Sequence, residues 1–160
     1  MNYFELFEFN ISPIIEKSLL SKKYLQLQKK YHPDNYSLSD ENEQSQSLEM
    51  SSLINKAFAV FKDDVKTIGY FLEIKGLIST DEKYQLPSSF LMEMMEVNEQ
   101  IDEGDFEASA LEQIRHNLDG EIRFFMQKNA TEFSDHELLK IKEFYYKKKY
   151  LKRILDRLTD

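Results

Sequence analysis

The chain has 160 residues, 41% hydrophobic and 31% charged, with a net charge of −8 at neutral pH. That composition fits a globular chain of one domain or two small ones, and its acidic balance argues against general nucleic-acid binding. It holds no cysteine, which excludes disulfides, thiolate nucleophiles, zinc–thiolate sites and cysteine-held iron–sulfur clusters.

Only 4 Gly and 3 Pro punctuate the chain, and no run alternates long enough for a strand, so the expectation is all-α. The first ten residues, MNYFELFEFN, carry two acids and no Lys or Arg. They do not read as a targeting segment. YFELFEF (3–9) predicts a short aromatic helix. Ser12 is placed to cap a second helix with Pro13 at its first position, running to about Tyr31 and stopped by Pro33.

On that helix Leu20, Tyr24, Leu27 and Tyr31 fall on one stripe, the expected core face. Lys22, Gln26, Lys29 and Lys30 face outward. Solubility alone is a sufficient reason for such a face. It leads, however, straight into KKYHPDNY (29–36). Proline fixes its own φ and restricts the residue before it, so His32 and Asp34 are held on a stiff turn. Asp34 is a charged acceptor suited to an arginine of another protein, and His32 can donate or accept near neutral pH. No second acid, base or nucleophile accompanies them. The three histidines, His32, His116 and His136, are too scattered for a metal site.

The polar stretch after the turn becomes helical partway and runs into LEMSSLINKAFAVFK (48–62), an amphipathic helix. DVKTIGYFLEIKG (64–76) predicts another, closed by Gly76. Residues 77–89 read as a linker containing Pro87. Helices are then expected over 90–104, 106–129 and 134–158, the last with acids at its start and bases at its end, as the helix dipole favours. Residues 88–135 hold twelve acids and three bases, whereas 137–160 hold four acids and eight bases. Attraction between neighbouring helices is the simplest reading of that division. No apolar stretch approaches the ~18 residues of a membrane span, and glycine-rich phosphate loops and a GxSxG elbow are absent.

On a helical wheel Phe90, Met94, Val97 and Ile101 of FLMEMMEVNEQIDE (90–103) form the inward face. Met92 lies nearly opposite, with Met95, Glu96, Glu99 and Glu103 around it and Leu91 at the margin. Another helix of the same chain could cover these apolar residues. Left open to water, they make a protein-docking patch, with methionines for contact area and acids for steering.

YLQLQKKYHPDNY (24–36), INKAFAVFKD (54–63) and YFELF (3–7) resemble the J-domain pattern, in that order. VKTIGYFLEIKG (65–76) and FLMEMMEVNEQIDE extend the likeness, over nearly the whole chain, to the HscB family of J-proteins dedicated to iron–sulfur cluster assembly. The resemblance implies a four-helix J-domain over 1–76 joined by the 77–89 linker to a three-helix domain over 90–160. It implies a co-chaperone without enzyme activity or cofactor, with two partners, no nucleic acid and no membrane. A DnaK-type, HscA-like chaperone would engage His32, Pro33 and Asp34, helped by Lys22, Gln26, Lys29 and Lys30. An IscU-type scaffold would dock on Leu91, Met92, Glu96, Glu99 and Glu103, joined by an aromatic of the last helix. Phe144 is the best match for that aromatic, within a Phe144-Tyr145-Tyr146 run that leaves the register open by a residue. Asn35 departs from the family, which usually has Lys there. The expected location is the bacterial cytoplasm, or the mitochondrial matrix after processing. The competing readings are a J-protein for another client, a helical adaptor in which the tripeptide is accidental, and an RNA-binding protein using the basic last helix.

Overall fold

A computed structural model describes residues 1–124, 126, 128 and 132–159. The protein is all-α, as expected, with seven helices and no strand among the described residues. It divides into two compact units, Met1–Phe71 and Leu72–Asp160.

The first unit is organised on one phenylalanine. Helix α1 (Tyr3–Leu6) starts in a reciprocal cap, where Asn2 Oδ1 accepts the Glu5 N–H at 2.8 Å and the Glu5 carboxylate accepts the Asn2 N–H. It ends four residues later, short of the expected 3–9, because Glu8 turns into the left-handed region at φ 57°. That turn lets the Phe9 N–H reach back to the Phe4 carbonyl. Phe4, Phe7 and Phe9 thereby all reach the ring of Phe61, at centroid distances of 5.1, 5.7 and 5.8 Å. Tyr3 stacks on Tyr70, whose hydroxyl accepts the Tyr3 N–H at 2.9 Å.

Helix α2 (Lys17–Tyr31) does not begin at Ser12. The Ser12 hydroxyl caps only a local turn, accepting the Ile14 N–H. The 11–16 loop instead buries Pro13 and Ile15, so core packing outweighs a good local cap. Lys17 opens α2 and donates to the Phe61 carbonyl at 2.8 Å, pairing also with Asp64. Helix α3 (Glu41–Phe61) is capped by Asp40 and begins earlier than the apolar pattern shows. Helix α4 (Asp64–Ile74) closes at Gly76, whose φ of 71° allows the Leu77 N–H to reach the Leu72 carbonyl.

The second unit packs α5 (Ser88–Asp102), α6 (Ala108–Ile122) and α7 (Asp135–Thr159) around Met94, Ile141 and Leu151. Helix α6 stops at Ile122, before the expected 129. Arg123 and Phe124 form a turn, while Phe125, Gln127 and Asn129 lie outside the described residues. Ser134 and Glu137 cap α7 reciprocally. That cap, followed by Lys128, holds the Glu137 carboxyl below its usual range.

The 77–87 segment has no helix, yet it is fixed to α7. The Glu82 carboxylate accepts from Tyr146 Oη at 2.7 Å and from Lys142 Nζ at 2.9 Å. Tyr84 stacks on Tyr146 at 4.4 Å. Hydrogen bonds from Lys142 and then Tyr146 hold the Glu82 carboxyl below its usual range. Burial, then the bond to Glu82, pushes the Tyr146 hydroxyl up. Because the folded carboxyl titrates lower than the unfolded one, its contribution is present above the ordinary glutamate range and is lost as pH falls through the folded value. Glu82→Gln should therefore melt below the wild type at pH 7. Melting curves taken through the acid range should then converge.

Candidate functional site

Pro33 has no N–H to extend α2 and excludes the helical conformation at His32, which is extended at φ −60° and ψ 131°. The chain re-enters a single 3₁₀ turn over Pro33–Tyr36, closed by the Asn35 N–H on the His32 carbonyl at 3.0 Å. His32 Nδ1 accepts the Asp34 N–H at 3.2 Å, which in the neutral ring leaves the proton on Nε2 and points that donor away from the turn. The side chains of His32 and Asp34 are 52% and 92% exposed.

The next two residues close the helix behind them. Asn35 Nδ2 donates to the Lys29 carbonyl, and Tyr36 Oη donates to the Lys30 carbonyl at 3.1 Å. Two orphan carbonyls at the end of α2 are thus satisfied by side chains. This is the structural role of Asn35: it supplies a neutral cap where the related pattern carries a lysine. Lys22, Gln26, Lys29 and Lys30 all lie exposed on the outer side of α2. The three lysines have no carboxylate partner among the described residues. Their cationic face continues to the turn. Of the expected core stripe only Leu20 is fully buried. Tyr24, Leu27 and Tyr31 are half-buried, with Tyr24 stacked on Phe58 at 4.0 Å and bonded to Asn55.

In the second unit α5 has two distinct sides. Phe90, Met94 and Val97 are buried, and Ile101 is half-buried. Leu91, Met92 and Met95 are 37%, 69% and 60% exposed. Glu96, Glu99 and Glu103 are exposed around them and have no basic partner among the described residues. Among the described residues no helix of this unit covers the patch. Four basic residues of α7 pair elsewhere: Arg157 with Asn98 and Asp102, Lys148 with Asp119, Lys147 with Glu121 and Lys142 with Glu82. The division of charge does hold the three helices together, and it leaves the outer acids of α5 unneutralised.

Phe144 does not join this patch at the surface. It is 5% exposed and belongs to the core, with Lys148 Nζ 5.6 Å from its ring centre. The apolar period of α7 runs through Ile141, Phe144 and Leu151, so Phe144 takes the inward register. Tyr145 is half-buried, and Tyr146 is engaged by Glu82. Met95, by contrast, belongs with the exposed set by position, as its place on the helical wheel already indicated.

Among the described residues no group of three or more His, Cys, Asp or Glu could hold a metal ion, and no helix is long and apolar enough to cross a membrane. The arrangement leaves two surfaces open to solvent: a cationic helix ending in the His-Pro-Asp turn, and an apolar patch ringed by carboxylates.

Residues 86–159 match the family model described as the HSCB C-terminal oligomerisation domain. A co-chaperone protein HscB homolog of Pseudoalteromonas atlantica is 31% identical over 133 residues, covering 82% of this chain and 75% of the relative. A Vibrio cholerae homolog of the same description is 36% identical over 103 residues, 64% of this chain, which spans 60% of that relative's length. The mouse iron–sulfur cluster co-chaperone protein HscB is 29% identical over 158 residues, 98% of this chain and 67% of the relative. The crystal structure of the human co-chaperone protein HscB superposes with a TM-score of 0.76 at 27% identity, covering 99% of this chain and 81% of the human one.

The capping role of Asn35 has a direct consequence. Asn35→Ala should lower unfolding stability by about 0.5–1 kcal/mol, the value of a partly solvated hydrogen bond, read as a lower urea midpoint at unchanged m-value.

Proposed function

This chain belongs to the HscB family of J-protein co-chaperones, and we propose that it stimulates ATP hydrolysis by a DnaK-type, HscA-like chaperone while delivering an IscU-type scaffold to it during iron–sulfur cluster maturation. The single observation that carries the reading is that both surfaces the task requires are open to solvent, on separate units. Residues 1–76 act as the J-domain and 90–160 as the scaffold-binding domain. The chain performs no catalysis itself. It works in the bacterial cytoplasm, or in the matrix if it is a processed mitochondrial chain.

His32, Pro33 and Asp34 engage the ATPase, and Lys22, Gln26, Lys29 and Lys30 steer the approach to an acidic surface. Asp34 favours the hydrolysis-ready state by binding that state better, which is the only way a partner can shift an equilibrium. A hydrogen bond to a charged group is worth roughly 1.5–3 kcal/mol, about tenfold to a hundredfold. Leu91, Met92, Glu96, Glu99 and Glu103 take the scaffold: the apolar side chains supply contact area and the unpaired acids attract a basic rim. Phe144, the best match for the aromatic of the last helix, lies in the core of the same unit.

A second reading uses the same patch for self-association, and the description of the matched C-terminal family model favours it. Sedimentation over a range of concentrations separates the two. A monomer that binds the scaffold with 1:1 stoichiometry fits docking, whereas a concentration-dependent dimer that excludes the scaffold fits self-association.

His32→Gln should abolish most stimulation of chaperone ATP turnover and leave the circular dichroism spectrum unchanged, since the side chain is half in water. Conversely, the combined substitution Leu91→Ala, Met92→Ala and Glu96→Ala should reduce scaffold affinity by at least tenfold while basal stimulation survives. Equal loss of both functions in either variant contradicts the two-surface division.

A further inference from the structure

The second unit contains four methionines, and they divide sharply. Met94 and Met126 are 0% and 5% exposed, whereas Met92 and Met95 are 69% and 60% exposed. The chain has no cysteine, so no thiol competes with these thioethers for an oxidant. We propose that Met92 and Met95 form a methionine-oxidation site through which hydrogen peroxide weakens the docking face. The proposal rests on the scaffold-docking reading and adds a regulation to it.

The chemistry needs only the peroxide. A sulfur lone pair attacks one peroxide oxygen, the O–O bond breaks and an S–O bond forms. Proton transfer to the departing oxygen releases water. Sulfur loses two electrons and the peroxide is reduced. The product is reversible by methionine sulfoxide reductases. Hydrogen peroxide is uncharged and so is not turned away by Glu96, Glu99 and Glu103. Burial protects Met94, one residue from Met95 along the same helix, because its side chain lies in the core.

The effect on binding follows from what surrounds the two sulfurs. A sulfoxide converts a soft apolar side chain into a polar acceptor. Its neighbours on the exposed side of α5 include Leu91, whose side chain has no polar atom, and the carboxylates of Glu96 and Glu99, which accept but do not donate, while the hydroxyls of Ser88 and Ser89 one turn earlier can donate. Once a partner displaces water, the new oxygen must find one of these few donors or lose its hydrogen bonds, and in either case a polar group replaces an apolar one in the contact. An unsatisfied acceptor in a closed contact lowers affinity by about tenfold.

The test uses the full chain. It is exposed to hydrogen peroxide, mapped by peptide mass spectrometry and titrated with the IscU-type scaffold before and after. Met92 and Met95 should each gain one oxygen ahead of Met94 and Met126. Affinity should fall about tenfold and return on treatment with a sulfoxide reductase. In the double variant Met92→Leu, Met95→Leu the ratio of affinities before and after peroxide should stay near one, whatever its starting affinity. Leucine is a good helix former at these exposed positions, so α5 should persist. Full conversion of Met92 and Met95 with unchanged affinity overturns the inference and leaves docking intact. So does an equal loss in the double variant, and so does oxidation of Met94 at the same rate as its neighbours. If the untreated chain fails to bind the scaffold, docking and its regulation both fall.

Discussion

The exposed His-Pro-Asp turn depends on how α2 ends. A proline at position 33 denies the helix its next donor and forces His32 out of the helical conformation. That alone would leave carbonyls unsatisfied at the end of a helix carrying Lys29 and Lys30. Asn35 and Tyr36 fold back to bond the carbonyls of those two residues. The chain therefore reverses within one short turn, held by the Asn35 N–H on the His32 carbonyl and the Asp34 N–H on His32 Nδ1. What faces solvent is the side-chain chemistry, His32 Nε2 and an Asp34 carboxylate that is 92% exposed and lies 3.6 Å from His32 Nδ1. A proline stop with two local caps thus turns an ordinary helix end into a rigid, charged presentation.

Charge placement does the corresponding work in the second unit. Helix α7 supplies ammonium and guanidinium groups to Asp102, Asp119, Glu121 and Glu82. Such pairs are worth little individually where they are exposed. Their distribution matters more, because they leave the outer carboxylates of α5 without a cation. Around Leu91, Met92 and Met95 those carboxylates keep an apolar patch soluble and favour a basic partner. Beneath the patch Phe90 meets Tyr150 edge to face at 5.9 Å, and Lys147 Nζ lies 5.4 Å from its ring centre. The foot of α5 is thereby held against α7.

Much of this was legible in the sequence, for identifiable reasons. Gly76 closes α4 because few residues tolerate its φ, and Pro33 ends α2 because it disfavours helical backbone at the residue before it. The inner and outer faces of α5 followed from period alone. The misreadings have physical causes as well. Ser12 and Pro13 make a good local helix start, but Pro13 and Ile15 are taken into the core and the helix waits until Lys17. Phe144 sits in a run of three aromatics, where composition carries no phase. Only the packing of Ile141 and Leu151 sets its inward register. The 77–89 segment has the composition of a linker, and no local pattern reveals that Glu82 and Tyr84 seek Tyr146, more than sixty residues away. Asn35 departs from the related pattern in sequence, and only the structure shows that its amide caps α2.

The central claim is that two surfaces on two units serve two partners independently. Sedimentation velocity of this chain mixed with the IscU-type scaffold and an ATP-bound HscA-like chaperone tests it most directly. The account predicts a single faster-moving species containing one copy of each protein, with Asp34→Asn reducing it to the binary complex with the scaffold. Mutually exclusive binary complexes, in which added scaffold displaces the chaperone from this chain, would contradict it.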